Sequence, residues 1–122
     1  MKKHILIVDD ELAIRTLLTQ FLTGQGYRVT ATSTPAEARK AVLRDPPHLV
    51  ISDLQLEDSD GLDMIARMKS DLPDVPMMLL TGVLFDARVI EEILSHKVSC
   101  YLPKTTSLSE IGVEVQRLIG PP

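Results

Sequence analysis

The chain has 122 residues, 44% of them apolar, with 13 Lys+Arg against 17 Asp+Glu and a net charge of −4. That length suits one domain with a real core, and the lack of a basic stripe argues against direct nucleic-acid binding by it. The single Cys100 excludes an intrachain disulfide and suits a reducing compartment; no run nears the roughly 18 apolar residues of a membrane span.

The first apolar run, Ile5-Leu6-Ile7-Val8, stops at Asp9-Asp10. It is too short for a signal peptide behind Met1-Lys2-Lys3, and a cytoplasmic location is expected. Ile14, Leu17, Leu18, Phe21 and Leu22 then fall on one face of a helix that Gly24 and Gly26 end. Arg28 to Ser33 is rich in β-branched residues and reads as a short strand. Thr34-Pro35-Ala36-Glu37 is a capping box with proline at the first helical position, and that helix stops before Pro46-Pro47. His48 to Leu54 is the next strand, continuously apolar as strands covered on both faces are.

Gly61 precedes a third helix, from Leu62 to about Ser70, with Leu62, Ile65, Ala66 and Met68 expected inward. Pro73 and Pro76 bracket the turn into the strand Met77-Met78-Leu79-Leu80, which ends in Thr81-Gly82. Asp86 is placed to cap a fourth helix whose buried face would carry Val89, Ile90, Ile93 and Leu94. A weaker strand, Val98 to Leu102, ends in Pro103-Lys104. Ser107-Leu108-Ser109-Glu110 is a second capping box, starting a fifth helix with Ile111, Val115, Leu118 and Ile119 as core candidates, closed by Gly120-Pro121-Pro122. Five β-α units imply an α/β fold with a parallel sheet, right-handed crossovers and helices on both faces.

In an open parallel sheet, ligands bind beyond the carboxyl ends of the strands. That edge would collect Asp9, Asp10, Asp53, Thr81 and Lys104. Carboxylates so gathered repel: two unit charges 4 Å apart cost roughly 4 kcal/mol at an effective dielectric near 20. A divalent cation relieves the cost, and hard oxygen donors suit Mg²⁺. Asp53 could then accept a phosphoryl group as a nucleophile. Asp9 and Asp10 would hold the metal, Thr81 would donate to a transferred oxygen, and Lys104 would neutralise another. Each residue alone has an ordinary reading: helix N-terminal charge for the acids, turn or cap for Asp53, nothing special for Thr81 or Lys104. The information lies in their sharing one edge. His4, His48 and His96 are scattered and read as non-ligands, and Cys100 reads as packing. Tyr101 fits either an inward-packed ring or one that moves with the state of the site.

The chain resembles the receiver domain of two-component response regulators over essentially its whole length, 1–122, with 119–122 read as the start of a linker to an output domain. The matching residues are Asp9-Asp10, Asp53, Asp60-Gly61, Thr81-Gly82 and Tyr101-Leu102-Pro103-Lys104, in order and in the right element context. The resemblance implies a flavodoxin-like (βα)5 sandwich with strand order 2-1-3-4-5. It implies Asp53 as phosphoacceptor and Asp10 as a direct Mg²⁺ ligand. Asp9 would act on the metal through water, and the Gln55 backbone carbonyl would complete the set. Thr81 and Tyr101 resemble the coupled switch pair, and Lys104 the phosphate-binding ammonium. The implied partner is a histidine kinase or phosphotransfer protein. The implied readout face is the fourth helix, fifth strand and fifth helix, which could also pair two copies as a homodimer.

Three positions depart from the common pattern. The loop Leu54 to Gly61 has no proline. Thr105 follows Lys104 where many relatives have proline, so a trans bond is expected there. Residue 82 is Gly where Ala is common. Three rival readings remain beside this regulatory one. A flavin carrier would want a Ser/Thr-rich phosphate loop after the first strand. A small Mg²⁺-dependent aspartyl phosphatase would turn over many esters. A phosphate-independent adaptor would not need the acidic set.

Overall fold

The computed structural model describes residues 2–53, 55–56, 59–82, 86–95 and 98–122. Its strands are β1 (His4–Val8), β2 (Arg28–Thr32), β3 (Leu49–Ser52), β4 (Met77–Thr81) and β5 (Cys100–Pro103), and its helices α1 (Leu12–Gly24), α2 (Pro35–Arg44), α3 (Gly61–Asp71), α4 (Ala87–Ser95) and α5 (Leu108–Ile119). A two-residue antiparallel ladder, Gln55–Leu56 with Ser59–Asp60, lies between β3 and α3. The strands form one parallel sheet in the order β2-β1-β3-β4-β5, the flavodoxin-like order.

Every strand of the sheet centre is buried, and side chains alternate between its faces. Ile5 and Ile7 join Leu49, Ile51, Met78 and Leu80 beneath α1 (Leu18, Leu22) and α5 (Ile111, Val115). Leu6 and Val8 join Val50, Met77 and Leu79 beneath α2 (Ala38, Ala41, Val42) and α3 (Met64, Ile65, Met68). This two-sided cover is why the strands read as continuous apolar runs.

Both capping boxes form: Glu37 N–H donates to Thr34 Oγ1 and Glu110 N–H to Ser107 Oγ, each at 3.2 Å. α1 runs through Gly24, and Gly26, with φ 107°, takes the left-handed turn beyond it. Asp86 directly precedes α4, where its carbonyl accepts from Ile90 N–H at 3.0 Å. The side chains of Leu62, Val89, Ile93 and Leu94 lie outside the described residues.

One helix face differs from expectation. Ala66 is exposed, and Met64 is buried in its place beside Ile65 and Met68. Both stripes satisfy helical spacing, but Met64 offers far more apolar area than an alanine methyl, so the sheet takes the stripe that buries it.

At the other end of the molecule the last turn of α5 is tied down. Tyr27 Oη donates to the Gly120 carbonyl at 2.8 Å, and Lys3 Nζ donates to the Ile119 carbonyl. His4 also sits at this end, buried, with Nε2 2.7 Å from Thr30 Oγ1, while His48 Nδ1 accepts from His4 N–H at 2.9 Å. These two histidines are structural members of the β1 end away from the acidic edge.

Candidate functional site

Register brings the acidic residues together. Thr32, Val8, Ser52, Leu79 and Tyr101 lie in one row across the sheet. Asp9 and Asp53 each follow a member of that row. Their backbones are still tied to the neighbouring strand: Asp9 N–H donates to the Thr32 carbonyl and Asp53 N–H to the Val8 carbonyl, both at 3.0 Å. Between β1 and β3 the chain order reverses, because β2 leaves on one side and β3 on the other. A crevice opens at such a switch point, and these two carboxylates flank it.

Asp9, Asp10 and Asp53 each place one carboxylate oxygen within 4.8 Å of the others. Asp9 and Asp53 are buried and Asp10 is exposed. Lys104, arriving from the end of β5, puts its ammonium among them. Nζ lies 2.8 Å from Asp53 Oδ2, 3.1 Å from Asp9 Oδ2 and 2.5 Å from Glu11 Oε1, and the lysine side chain is only 10% exposed.

Burial dominates the titration of Asp9 and raises its pKa; the Glu11 N–H and the Lys104 ammonium oppose that rise, while Asp53 adds to it. For Lys104, burial is the largest single influence and disfavours the charge. Hydrogen bonds to Asp53, Glu11 and Asp9 together outweigh it and hold the ammonium well above its ordinary range. In this arrangement Lys104 supplies the positive charge that the clustered carboxylates require.

Thr81 ends β4 with its side chain fully buried, and its carbonyl accepts from Lys104 N–H at 2.8 Å. Threonine and lysine are thereby locked to each other by backbone. Tyr101 is half-buried and packs against the cluster that holds Leu79 and Val98, the inward option of the two open for it. No cis peptide bond occurs among the described residues, in line with a trans Lys104–Thr105 link. A Cβ on Gly82 would meet Lys104 Cδ at 3.8 Å, an ordinary contact. Cys100 is buried packing, with Sγ 3.6 Å from Glu114 Oε2.

Two residues were missed. Glu11 closes the third side of Lys104; the acid directly after Asp9-Asp10 was its only signal. Arg15 Nη1 donates to the Asp9 carbonyl at 2.8 Å, and it is the only charged residue in α1. Gln55 begins the short ladder after Asp53. Of the acidic loop, residues 57 and 58 lie outside the described residues.

The donor set fits a small hard cation. It consists of carboxylate oxygens only, close enough together to share one ion and open to solvent on the Asp10 side. No helix among the described residues is long and apolar enough to cross a membrane.

Comparison with known proteins agrees with this geometry. The family model of the response regulator receiver domain matches residues 5–116. The transcriptional regulatory protein CssR of Bacillus subtilis (strain 168) is 31% identical over 98% of this chain and 52% of its own length. The DNA-binding transcriptional regulator NtrC of Rhizobium meliloti (strain 1021) is 32% identical over 97% of this chain and 24% of its own. The chain thus spans about half the length of such relatives, or less. In fold it is similar to a CheY-like receiver domain protein from Methanospirillum hungatei JF-1. That match has a TM-score of 0.89 at 23% identity and covers 96% of this chain and 93% of the other. These matches do not favour the phosphatase and adaptor alternatives. With the acidic edge, the sheet order and the family match in agreement, the chain belongs to the receiver domains of the two-component response regulators.

Proposed function

We propose that this receiver domain is a phosphorylation switch in which Asp53 is the phosphoacceptor. The observation that carries the reading is the Lys104 ammonium, 2.8 Å from a buried Asp53 carboxylate that also adjoins two further acids. Asp53 would attack phosphorus with a carboxylate lone pair. The bond from phosphorus to the leaving nitrogen or oxygen of the donor breaks, and the leaving group keeps that electron pair. Lys104 is placed to donate to one phosphoryl oxygen and the Thr81 hydroxyl to another. Water later attacks the same phosphorus, releasing phosphate and restoring the carboxylate.

Asp10, Asp53 and the Gln55 carbonyl would hold Mg²⁺ directly, and Asp9 through water. The cation, when bound, supplies charge neutralisation between the carboxylate and the phosphoryl oxygens. The donor would be a histidine kinase or phosphotransfer protein of a two-component system. Thr81 and Tyr101 would carry the change to the α4–β5–α5 face, where a partner or a second copy would read it. The role is regulatory, its only chemistry being its own modification and reversal.

The test is intact-mass measurement after incubation with acetyl phosphate and Mg²⁺. The native protein should gain one phosphoryl group, and Asp53→Asn should gain none. Equal labelling of the variant would overturn the assignment.

A further inference from the structure

The ammonium of a lysine has three N–H donors. Here three different carboxylates take them: Asp53, Asp9 and Glu11. Lys104 therefore cannot meet a phosphoryl oxygen on Asp53 until one carboxylate gives way.

The three are not equivalent. The Asp53 and Asp9 side chains are only 4% and 3% exposed, so parting from the ammonium would leave a charge away from water. Glu11 is 57% exposed, and water can take the place of Lys104 at its carboxylate. Glu11 is also rooted close by. It is the N-cap of α1, and its N–H donates to Asp9 Oδ1 at 2.9 Å. Its side chain makes no capping hydrogen bond, so nothing in the helix competes for it.

We propose that Glu11 is a positioning residue of the phosphorylation site, a place-holding anion that occupies the Lys104 donor destined for the phosphoryl oxygen and yields it when that oxygen arrives. Rest and phosphorylated states then differ by one exchange at Lys104, from the Glu11 carboxylate to the phosphoryl group, and Glu11 sets how easily the second is reached. The proposal rests on Asp53 being the phosphoacceptor.

The experiment titrates beryllofluoride, an anion of phosphoryl shape and charge, into the native protein, Glu11→Gln and Glu11→Asp at saturating Mg²⁺. Bound fluorine is read by ¹⁹F NMR. Glu11→Gln removes both the contact and the charge. Glu11→Asp keeps the charge but is one methylene too short for the contact, and at an N-cap it turns toward the helix N–H groups. Both variants should bind beryllofluoride about two- to five-fold more tightly than the native protein, the range expected for loss of one half-exposed ion pair. Tightening in Glu11→Gln alone would reduce Glu11 to a distant negative charge and overturn the proposal, and so would native affinity in both variants. Failure of the native protein itself to bind beryllofluoride would instead bring down the phosphoacceptor reading, and the proposal with it.

Discussion

The Lys104 ammonium lies 2.8 Å from Asp53 Oδ2, although the two residues belong to different strands with β4 between them. The contact follows from β4 and β5 being parallel and in register, with Thr81 paired to Pro103. That register delivers the residue after Pro103 to the same edge as the residue after Ser52. The closest neighbour of the candidate phosphoacceptor is therefore a cation already in place.

Lys104→Met should expose the repulsion that the ammonium now offsets. Without added metal, we expect a loss of about 3 kcal/mol of stability, since buried carboxylates lose their counter-charge. Mg²⁺ should restore more stability to the variant than it adds to the native protein, because it then meets no competing ammonium. Urea titrations with EDTA and with Mg²⁺ measure both; equal Mg²⁺ increments would contradict the counter-charge role.

Thr81→Ala should separate chemistry from readout. The side chain is fully buried at the end of β4, and removing its hydroxyl leaves Asp53 and Lys104 in place. Labelling by acetyl phosphate should persist, while any phosphorylation-dependent self-association weakens, because a ligand shifts two states only by its differential interaction with them. Analytical ultracentrifugation of the labelled proteins is the check.

Gly82→Ala and Gly26→Ala should behave oppositely. At Gly82 the added methyl would find Lys104 Cδ at 3.8 Å, so the change should be neutral or stabilise by up to about 1 kcal/mol. At Gly26, φ is +107° and Pro122 Cγ would be 2.9 Å away. A loss of about 1–2 kcal/mol is expected there from the strained backbone alone. Thermal unfolding of the two variants decides.

Acid should weaken the sheet end that holds His4. Burial lowers the His4 pKa below 6.5; Asp45 pulls it back, while Arg28 and His48 push it further down. The unfolded chain thus takes up this proton at a higher pH than the folded one. This contribution to stability is complete above pH 6.5 and shrinks as pH falls toward the folded value. His4→Gln keeps a partner for Thr30 Oγ1 and should flatten the pH dependence of stability just below 6.5. An unchanged slope would assign it to other groups.

Tyr27→Phe should cost about 1 kcal/mol, the worth of the hydrogen bond from Tyr27 Oη to the Gly120 carbonyl. Faster amide exchange confined to the last turn of α5 would show that the bond acts there.

Much of this protein is written locally. Thr34 with Glu37 and Ser107 with Glu110 announce helix starts by chemistry that acts within one turn, and both boxes form. The apolar runs ending in Asp9-Asp10, Asp53, Thr81 and Lys104 state the strand order and place the polar residues at one edge, because parallel strands joined by helices all end on the same side. Other features depend on neighbours distant in sequence. α3 buries Met64 and exposes Ala66 because the sheet selects between two stripes that helical spacing allows equally. Tyr101 lies half-buried because its row in the sheet sets it beside Leu79. Glu11 meets Lys104 because α1 begins where β5 ends. Local sequence determines which groups stand at the edge. Only the register and packing of the whole sheet decide which pairs come within hydrogen-bond reach, because that reach is a few ångströms and depends on every strand between them.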